Sequence, residues 1–509
     1  MGLIIMNGDE SKKEFGDYQT PDFFSLDVCK YLRDILGINP QIIIEPTCGI
    51  GNFVNSSLMT FSEVKKAYGI EINQAYCKIS LERIKDNRFC VYNDNIFNFD
   101  LSRIPNDERL LIIGNPPWVT NSVLKYNLPD KENFKGLSGT DAITGSSNFD
   151  ICEYIILKLI NEYRNKNATI AMLCKTSVAR NVYEEVNRNS VSLNYFKILN
   201  FNSSKIFGIS ASACLIVLSF DKSKNNVPEC ECYEFDEPEK IVARIEYKNG
   251  SLAQCVDGLE NFEGECQLIW RQGIKHDCSS IMELKKVRVN EYINKRKEHI
   301  NLEDELIFPL LKSSDFKKNI ICDNFEKYVI VTQKKTREDT SYIEMAAPLT
   351  WKYLNDNIVL FNQRKSSIYN GAPAFSMFGV GDYSYSKYKV GISGFYKKPV
   401  FSLIFNKKDI NKPIMLDDTT YFLSFDDYSV AYVCMLLLNS KSVQNFLHSI
   451  SFKDAKRPYT KKILQRLDLL KAIEKNDFDR LKATEQKLQL NDYLTTQMVE
   501  SFIAFLQTQ

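Results

Sequence analysis

Five short apolar runs, each closed by turn residues, pace the first 220 positions: QIIIEP at 41–46, AYGIEI at 67–72, LLIIGNPP at 110–117, ATIAMLC at 168–174 and SACLIVLSF at 212–220. Segments of helical spacing lie among them, Phe24–Leu36 and Phe149–Tyr163. Parallel strands cannot be joined by tight hairpins and need crossover helices, so this alternation predicts an α/β, Rossmann-like domain built on a mostly parallel sheet. Such a sheet takes its ligand at the carboxyl ends of its strands. The polar, acidic stretch 221–240 breaks the rhythm and places a domain boundary between residues 235 and 236. Residues 236–509 read as a mixed α+β domain. It holds a charged helical segment near 281–298, a strand near 327–332, a Gly/Ser/Tyr-rich region over 366–398 and a helical C-terminal part.

Several function classes are disfavoured at this stage. A length of 509 residues exceeds what one core holds, and a net charge of +1 neither demands nor excludes a nucleic acid. The 14 cysteines form no disulfide framework and follow no secretory leader, which predicts a reducing cytoplasm. With three histidines and only a Cys230-x-Cys232 pair, no metal is expected. No apolar run reaches the roughly 18 residues of a membrane span.

Three segments after successive strands suit a nucleoside cofactor. In Glu45-Pro-Thr47-Cys-Gly49-Ile-Gly51, the glycines allow a tight turn and close backbone approach. Glu71, twenty residues beyond Gly51, can accept from both ribose hydroxyls, with Ile72 beside it. Asp94 can accept from an adenine amine while Ile96 covers the ring. A fourth segment, Asn115-Pro116-Pro117-Trp118, carries the chemistry. Its prolines hold the backbone extended and fix two acceptors, the Asn115 side chain and the Pro116 carbonyl. Two acceptors can take both N–H groups of an exocyclic amine and expose its lone pair to an electrophilic methyl group. Trp118 is expected to stack on the target ring, and Phe207, in Lys205-Ile-Phe-Gly208 just before a strand, is a second stacking candidate. A base in duplex DNA reaches such a pocket only when flipped out, and the polar loop 120–148 is a candidate to close over it.

In the order and spelling of these segments the chain resembles the gamma class of DNA adenine-N6 methyltransferases of bacterial restriction-modification systems. The resemblance is strong over residues 15–220 and general thereafter. It implies an S-adenosylmethionine-dependent methyltransferase domain followed by a target-recognition domain, S-adenosylmethionine as cofactor, and a flipped adenine in double-stranded DNA as substrate. Tyr18 and Thr20 of Asp17-Tyr-Gln-Thr-Pro21 correspond to the segment near the cofactor's methionine end. Glu45, Thr47, Gly49 and Gly51 form the cofactor loop, Glu71 and Ile72 the ribose side, and Asp94 and Ile96 the adenine side. Asn115 to Trp118 correspond to the catalytic signature, with Trp where Tyr or Phe is more familiar, and Phe207 to the aromatic packed on the flipped base.

Residues 361–412 hold nine Lys/Arg against two acids, interleaved with Tyr369, Phe375, Phe378, Tyr383, Tyr385, Tyr388 and Tyr396. This mixture predicts a DNA face with Arg364, Lys365, Lys387, Lys389, Lys397 and Lys398, joined by Lys456 and Arg457 of a second basic patch over 453–462. Trp270–Asp277 is expected near the DNA. A nuclease-like spelling, Asp277 followed by Glu283-Leu-Lys285, falls in the helical segment and is set aside. The competing readings are an N-methyltransferase of protein glutamine or RNA, and a non-catalytic DNA-binding protein. The expected form is a cytoplasmic monomer, with a separate cognate restriction endonuclease as possible partner.

Overall fold

The computed structural model describes residues 18–119, 150–220, 227–248, 250–255, 262–452 and 455–509. The chain forms two units, Met1–Val256 and Asp257–Gln509. The loop 120–148 and the patch residues Lys453 and Asp454 lie outside the described residues.

The first unit is built on β1 (Ile42–Glu45), β2 (Lys66–Glu71), β3 (Phe89–Asn93), β4 (Leu110–Gly114), β5 (Ala168–Lys175), β6 (Leu193–Asn202), β7 (Ser212–Phe220), β8 (Cys230–Glu234), β9 (Glu237–Lys248) and β10 (Ser251–Gln254). These make one sheet in the order β3-β2-β1-β4-β5-β7-β6-β8-β9-β10. β1 to β5 run parallel, and β7 is antiparallel to both β5 and β6. The central strands are buried along their whole length, so they read as unbroken apolar runs instead of alternating. Replacing Ile43, fully buried, by Ala should cost about 2–5 kcal/mol.

Strand order reverses between β1 and β4: β2 and β4 flank β1, and both pair with it in parallel register through Ile42–Ile44. The loops leaving β1 and β4 therefore diverge at the switch point, where an open α/β sheet admits a ligand. Those loops are the glycine turn and Asn115–Trp118. The expected helices are present as Asp22–Asp34 and Ile151–Tyr163. Asp150 caps the second by accepting from Cys152 N–H, and Ile151 N–H donates to the Val119 carbonyl at 2.9 Å, tying the helix start to the end of the active-site segment.

The boundary expected at 235/236 is displaced to 256/257. β8 pairs parallel with β6 and carries the β9–β10 hairpin, so residues 230–240 of the acidic stretch belong to the sheet. A strand near the sheet's margin with mostly exposed and half-buried positions, as in β9, needs little apolar sequence and reads like a linker.

The second unit holds a six-stranded sheet in the order β14-β13-β12-β17-β15-β20 and a five-stranded sheet in the order β11-β21-β18-β19-β16. The strands are β11 (Arg271–Gln272), β12 (Glu283–Arg288), β13 (Glu291–Asn294), β14 (His299–Asn301), β15 (Ile307–Leu311), β16 (Ile320–Ile321), β17 (Tyr328–Ile330), β18 (Tyr388–Ser393), β19 (Phe401–Ile404), β20 (Met415–Leu416) and β21 (Thr420–Phe425). Helices fill the C-terminal part as expected, led by Tyr428–Leu438, whose residues from Val430 on are all buried. The segment 281–298 is helical only at Ile281 and Met282, the end of a short turn of helix from Ser279: from Glu283 on, β12 and β13 pair as an antiparallel hairpin, with Asn290 in the left-handed region at its turn. Among the described residues no helix is long and apolar enough to cross a membrane.

Candidate active site

The glycine turn is fixed from three sides. Gly49 and Gly51 both have positive φ, 54° and 83°, which explains the glycine at each. The Glu71 carboxylate accepts from Gly49 N–H and from Asn73 N–H, each at 2.7 Å, so the end of β2 holds the turn that leaves β1. Glu45, only 3% exposed, accepts from Val54 N–H at 3.1 Å in the first turn of the helix Asn52–Thr60. Burial pushes its carboxyl well above the usual range. Gly69 is required by the same packing, because a Cβ there would lie 2.6 Å from Cys48 Sγ. Sequence reasoning placed Glu45 against the cofactor; the structure places it under the turn, as a brace for the helix start.

Across the turn runs the N-terminal strap Tyr18–Asp22. Gln19 Oε1 accepts from Ile50 N–H at 3.3 Å, and the Thr20 carbonyl accepts from the Asn52 amide. The strap also reaches the active-site segment, where Asn115 Nδ2 donates to the Tyr18 carbonyl at 2.9 Å. An asparagine amide has one donor end and one acceptor end, so this bond orients the group and leaves Oδ1 as the free end. Asn115 Oδ1 is buried and has no hydrogen-bond partner among the described residues; the same holds for Thr20 Oγ1 and Thr47 Oγ1. Buried polar atoms are rarely left unsatisfied, and three on adjoining segments at a switch point fit a polar ligand. The open glycine turn and the Thr20 and Thr47 hydroxyls suit S-adenosylmethionine.

Asp94 follows β3, half-buried, with Oδ1 accepting from Asn95 N–H at 2.7 Å. Ile96 is buried below it, and Ile72 is 49% exposed beside Glu71. Lys158, unnoticed in the sequence, pins this loop by donating to the carbonyls of Ile96 and Phe97, both at 2.7 Å. Nothing in its spacing on the helix 151–163 marks it out, because its partners are main-chain atoms some sixty positions away.

Trp118 is 9% exposed and donates its indole N–H to the Leu173 carbonyl at 3.3 Å. Phe207 ends the short helix Ser203–Phe207 and meets Trp118 edge-on, 5.5 Å between centroids. It also meets Tyr18 at 6.5 Å. The structure thus brings Tyr18, Trp118 and Phe207 into one aromatic group beside Asn115, with Pro116 buried and Pro117 half-buried.

The second unit corrects several assignments. Lys389, on β18, is 2% exposed and donates to the Ser386 carbonyl at 2.9 Å; burial lowers its pKa to about 7, so it is no phosphate contact. Arg364 is spent on the carbonyls of Phe361, His276 and Ser376 and lies 3.7 Å over the Tyr369 ring. Arg457 binds the Asp418 carbonyl and covers Phe395. Phe375 and Trp270 are fully buried, and Tyr385 donates to Gln333 O, so these aromatics build the core. Of the cations assigned to a DNA face, Lys365, Lys387, Lys397, Lys398 and Lys456 are exposed. Three of them meet at one place: Lys397 Nζ donates to Ala455 O, and Tyr459 OH donates to Lys397 O at 3.2 Å, which brings Lys397 and Lys398 beside Lys456.

Glu283-Leu-Lys285 lies on a strand, β12, not on a helix. Glu283 is nonetheless clasped by Lys312 at 2.7 Å and Lys295 at 2.8 Å, with His276 3.6 Å away. Two ammonium groups saturate the carboxylate that a metal would need. Among the described residues the group spaced to share an ion is Glu229, Glu246 and Cys255, on and beside the edge strands, where Lys248 pairs with Glu246 at 2.6 Å.

The order β3-β2-β1-β4-β5-β7-β6, with β7 reversed and the glycine turn after β1, defines a class I S-adenosylmethionine-dependent methyltransferase fold, here with an appended domain. The chain belongs to the Type II DNA methyltransferases: over 479 residues it is 41% identical to the Type II methyltransferase M.NspV of Nostoc sp., covering 92% of this chain and 98% of that protein. No protein-family model matches. Similar solved structures include the ATP-dependent Type ISP restriction-modification enzyme LlaBIII bound to DNA, with 11% identity, TM-score 0.48, and 94% of this chain over 40% of that one. The type IIG restriction endonuclease BpuSI has 13% identity and TM-score 0.35, with 96% of this chain over 65% of that one.

Proposed function

We propose that this methyltransferase modifies the exocyclic N6 of a flipped adenine at a specific site in duplex DNA, as the modification partner of a restriction endonuclease in a bacterial cytoplasm. The observation that carries the reading is the Asn115 amide, whose donor end is committed to Tyr18 O while its buried acceptor end has no partner among the described residues. On the rigid Pro-Pro segment, Oδ1 and the Pro116 carbonyl accept the two N–H groups of the target amine, drawing its nitrogen toward tetrahedral geometry. S-adenosylmethionine, when bound, supplies the electrophilic methyl group. Thr20, Thr47, Gly49, Glu71, Ile72, Asp94 and Ile96 would hold it. No strong base is needed at Asn115, because charge develops against fixed dipoles.

Tyr18, Trp118 and Phe207 supply ring faces and edges for a base taken out of its stack. In the second unit, exposed Lys397, Lys398 and Lys456 supply a backbone clamp. Digestion of genomic DNA from an expressing strain to nucleosides tests the target base. N6-methyladenine is the expected product. N4-methylcytosine in its place would reassign the target base, and unmodified DNA with methylated RNA or protein would reassign the substrate.

A further inference from the structure

Arg83, in the last turn of the helix Gln74–Arg83, belongs to none of the segments assigned above, yet it grips three of them. One terminal nitrogen donates to the Ile50 carbonyl inside the glycine turn, at 3.2 Å, and to Asn52 Oδ1 at the start of the following helix. The other donates to both oxygens of Asp22, at 3.1 and 3.2 Å, where the strap enters its own helix. A planar guanidinium suits this task, since it spreads several donors in a fixed fork that an ammonium cannot reproduce.

These contacts close a circuit. Asn52, whose acceptor end is held by Arg83, donates through Nδ2 to the Thr20 carbonyl. Gln19 accepts from Ile50 N–H, on the residue whose carbonyl Arg83 holds. Two residues back along the strap from Thr20, the Tyr18 carbonyl orients the Asn115 amide. The orphan atoms Thr20 Oγ1 and Asn115 Oδ1 thus both depend on where the strap lies, and the strap is tied down at Asp22, Thr20 and Gln19.

We infer that Arg83 is a positioning residue that holds the strap closed on the glycine turn, and so sets both cofactor affinity and the aim of Asn115. The inference rests on the cofactor reading given above. The Arg83–Asp22 pair is partly solvated, with 32% and 65% of the two side chains exposed, so its effect on global stability is small. Its effect is local, because it joins the strap to the glycine turn and to the helix that follows it.

The test is calorimetric titration of S-adenosylmethionine into the full chain, with melting temperature and steady-state kinetics measured on the same preparations. Arg83→Ala should weaken cofactor binding by about tenfold at a nearly unchanged melting temperature, and Arg83→Lys should recover only part of the loss. Asp22→Ala should produce a smaller loss, and the double variant should bind no more weakly than Arg83→Ala alone, since both remove one interaction. Full affinity in Arg83→Ala, or losses that simply add in the double variant, would overturn the inference. Asp22→Asn, a change at an exposed side chain, carries the same test if Arg83→Ala does not fold. Wild-type protein that binds no S-adenosylmethionine would overturn the cofactor reading itself, whereas wild-type binding with unaffected variants strikes only the clamp.

Discussion

In the proposed mechanism, replacing Asn115 by Ala removes one of two acceptors for the target amine and leaves the cofactor scaffold in place. Glu71 holds Gly49 and Glu45 holds Val54 through bonds that do not pass through Asn115, so cofactor affinity should stay within about threefold of wild type. The chemical step should suffer far more. Oδ1 is buried and preset by the 2.9 Å bond to Tyr18, and a preorganised partner for developing charge is worth about 2.7–4 kcal/mol, or about 10²- to 10³-fold in kcat. Asn115→Asp separates the two jobs of this amide: a carboxylate keeps an acceptor for the amine but cannot donate to Tyr18, and sets an oxygen against that carbonyl. It should fall between wild type and Asn115→Ala, down about 10-fold or more. The assay is single-turnover methyl transfer to duplex DNA at saturating cofactor, beside equilibrium cofactor binding. A kcat for Asn115→Ala within fivefold of wild type would refute the two-acceptor reasoning; a loss confined to cofactor binding would move Asn115 to the cofactor.

Glu71→Ala should weaken S-adenosylmethionine binding by about 10- to 100-fold in calorimetry, because it removes a ligand acceptor and also frees Gly49 N–H. Exchanging Lys397, Lys398 and Lys456 together for Ala should weaken DNA binding and flatten the plot of log affinity against log salt by up to about 2.7, at roughly 0.9 per phosphate contact. An unchanged slope would dismiss this surface as a backbone clamp. Lys389→Met should leave DNA affinity untouched and raise the melting temperature at pH 7 by roughly 5 °C. The sign follows from its folded pKa of about 7 against an ordinary 10.5: between those values the unfolded chain binds a proton the native chain does not, so wild-type stability rises with pH across that window. The advantage of Lys389→Met should therefore be greatest at or below pH 7 and shrink toward pH 10; destabilisation at pH 7 would refute the burial cost.

The central sheet was legible because its strands are buried on both faces, and an unbroken IIIE or LLIIG has few other uses. The edge was not: β9 alternates exposed and half-buried positions, and its charges read as a linker. The loops after β1, β2, β3 and β4 were legible because Gly49, Glu71, Asp94 and Asn115 follow strand ends at spacings a nucleoside site uses. Their mutual support was hidden, since Arg83 and Lys158 bind main-chain carbonyls that carry no sequence signature. Charge alone misled in the second unit. Lys389 and Arg364 share one basic stretch with Lys397, but a strand buries the first and three carbonyls occupy the second. The hairpin at 283–294 reads as a helix in sequence because Glu, Lys and Arg favour helices, and here cross-strand pairing overrides that preference.

The most direct measurement is transfer of labelled methyl groups from S-adenosylmethionine to unmodified duplex DNA by the purified chain, with the product digested to nucleosides and mapped. Label in N6-methyladenine at one short repeated sequence, and its loss with Asn115→Ala, is the predicted result. Label in another base, or none on varied DNA from protein shown to bind the cofactor, would contradict it.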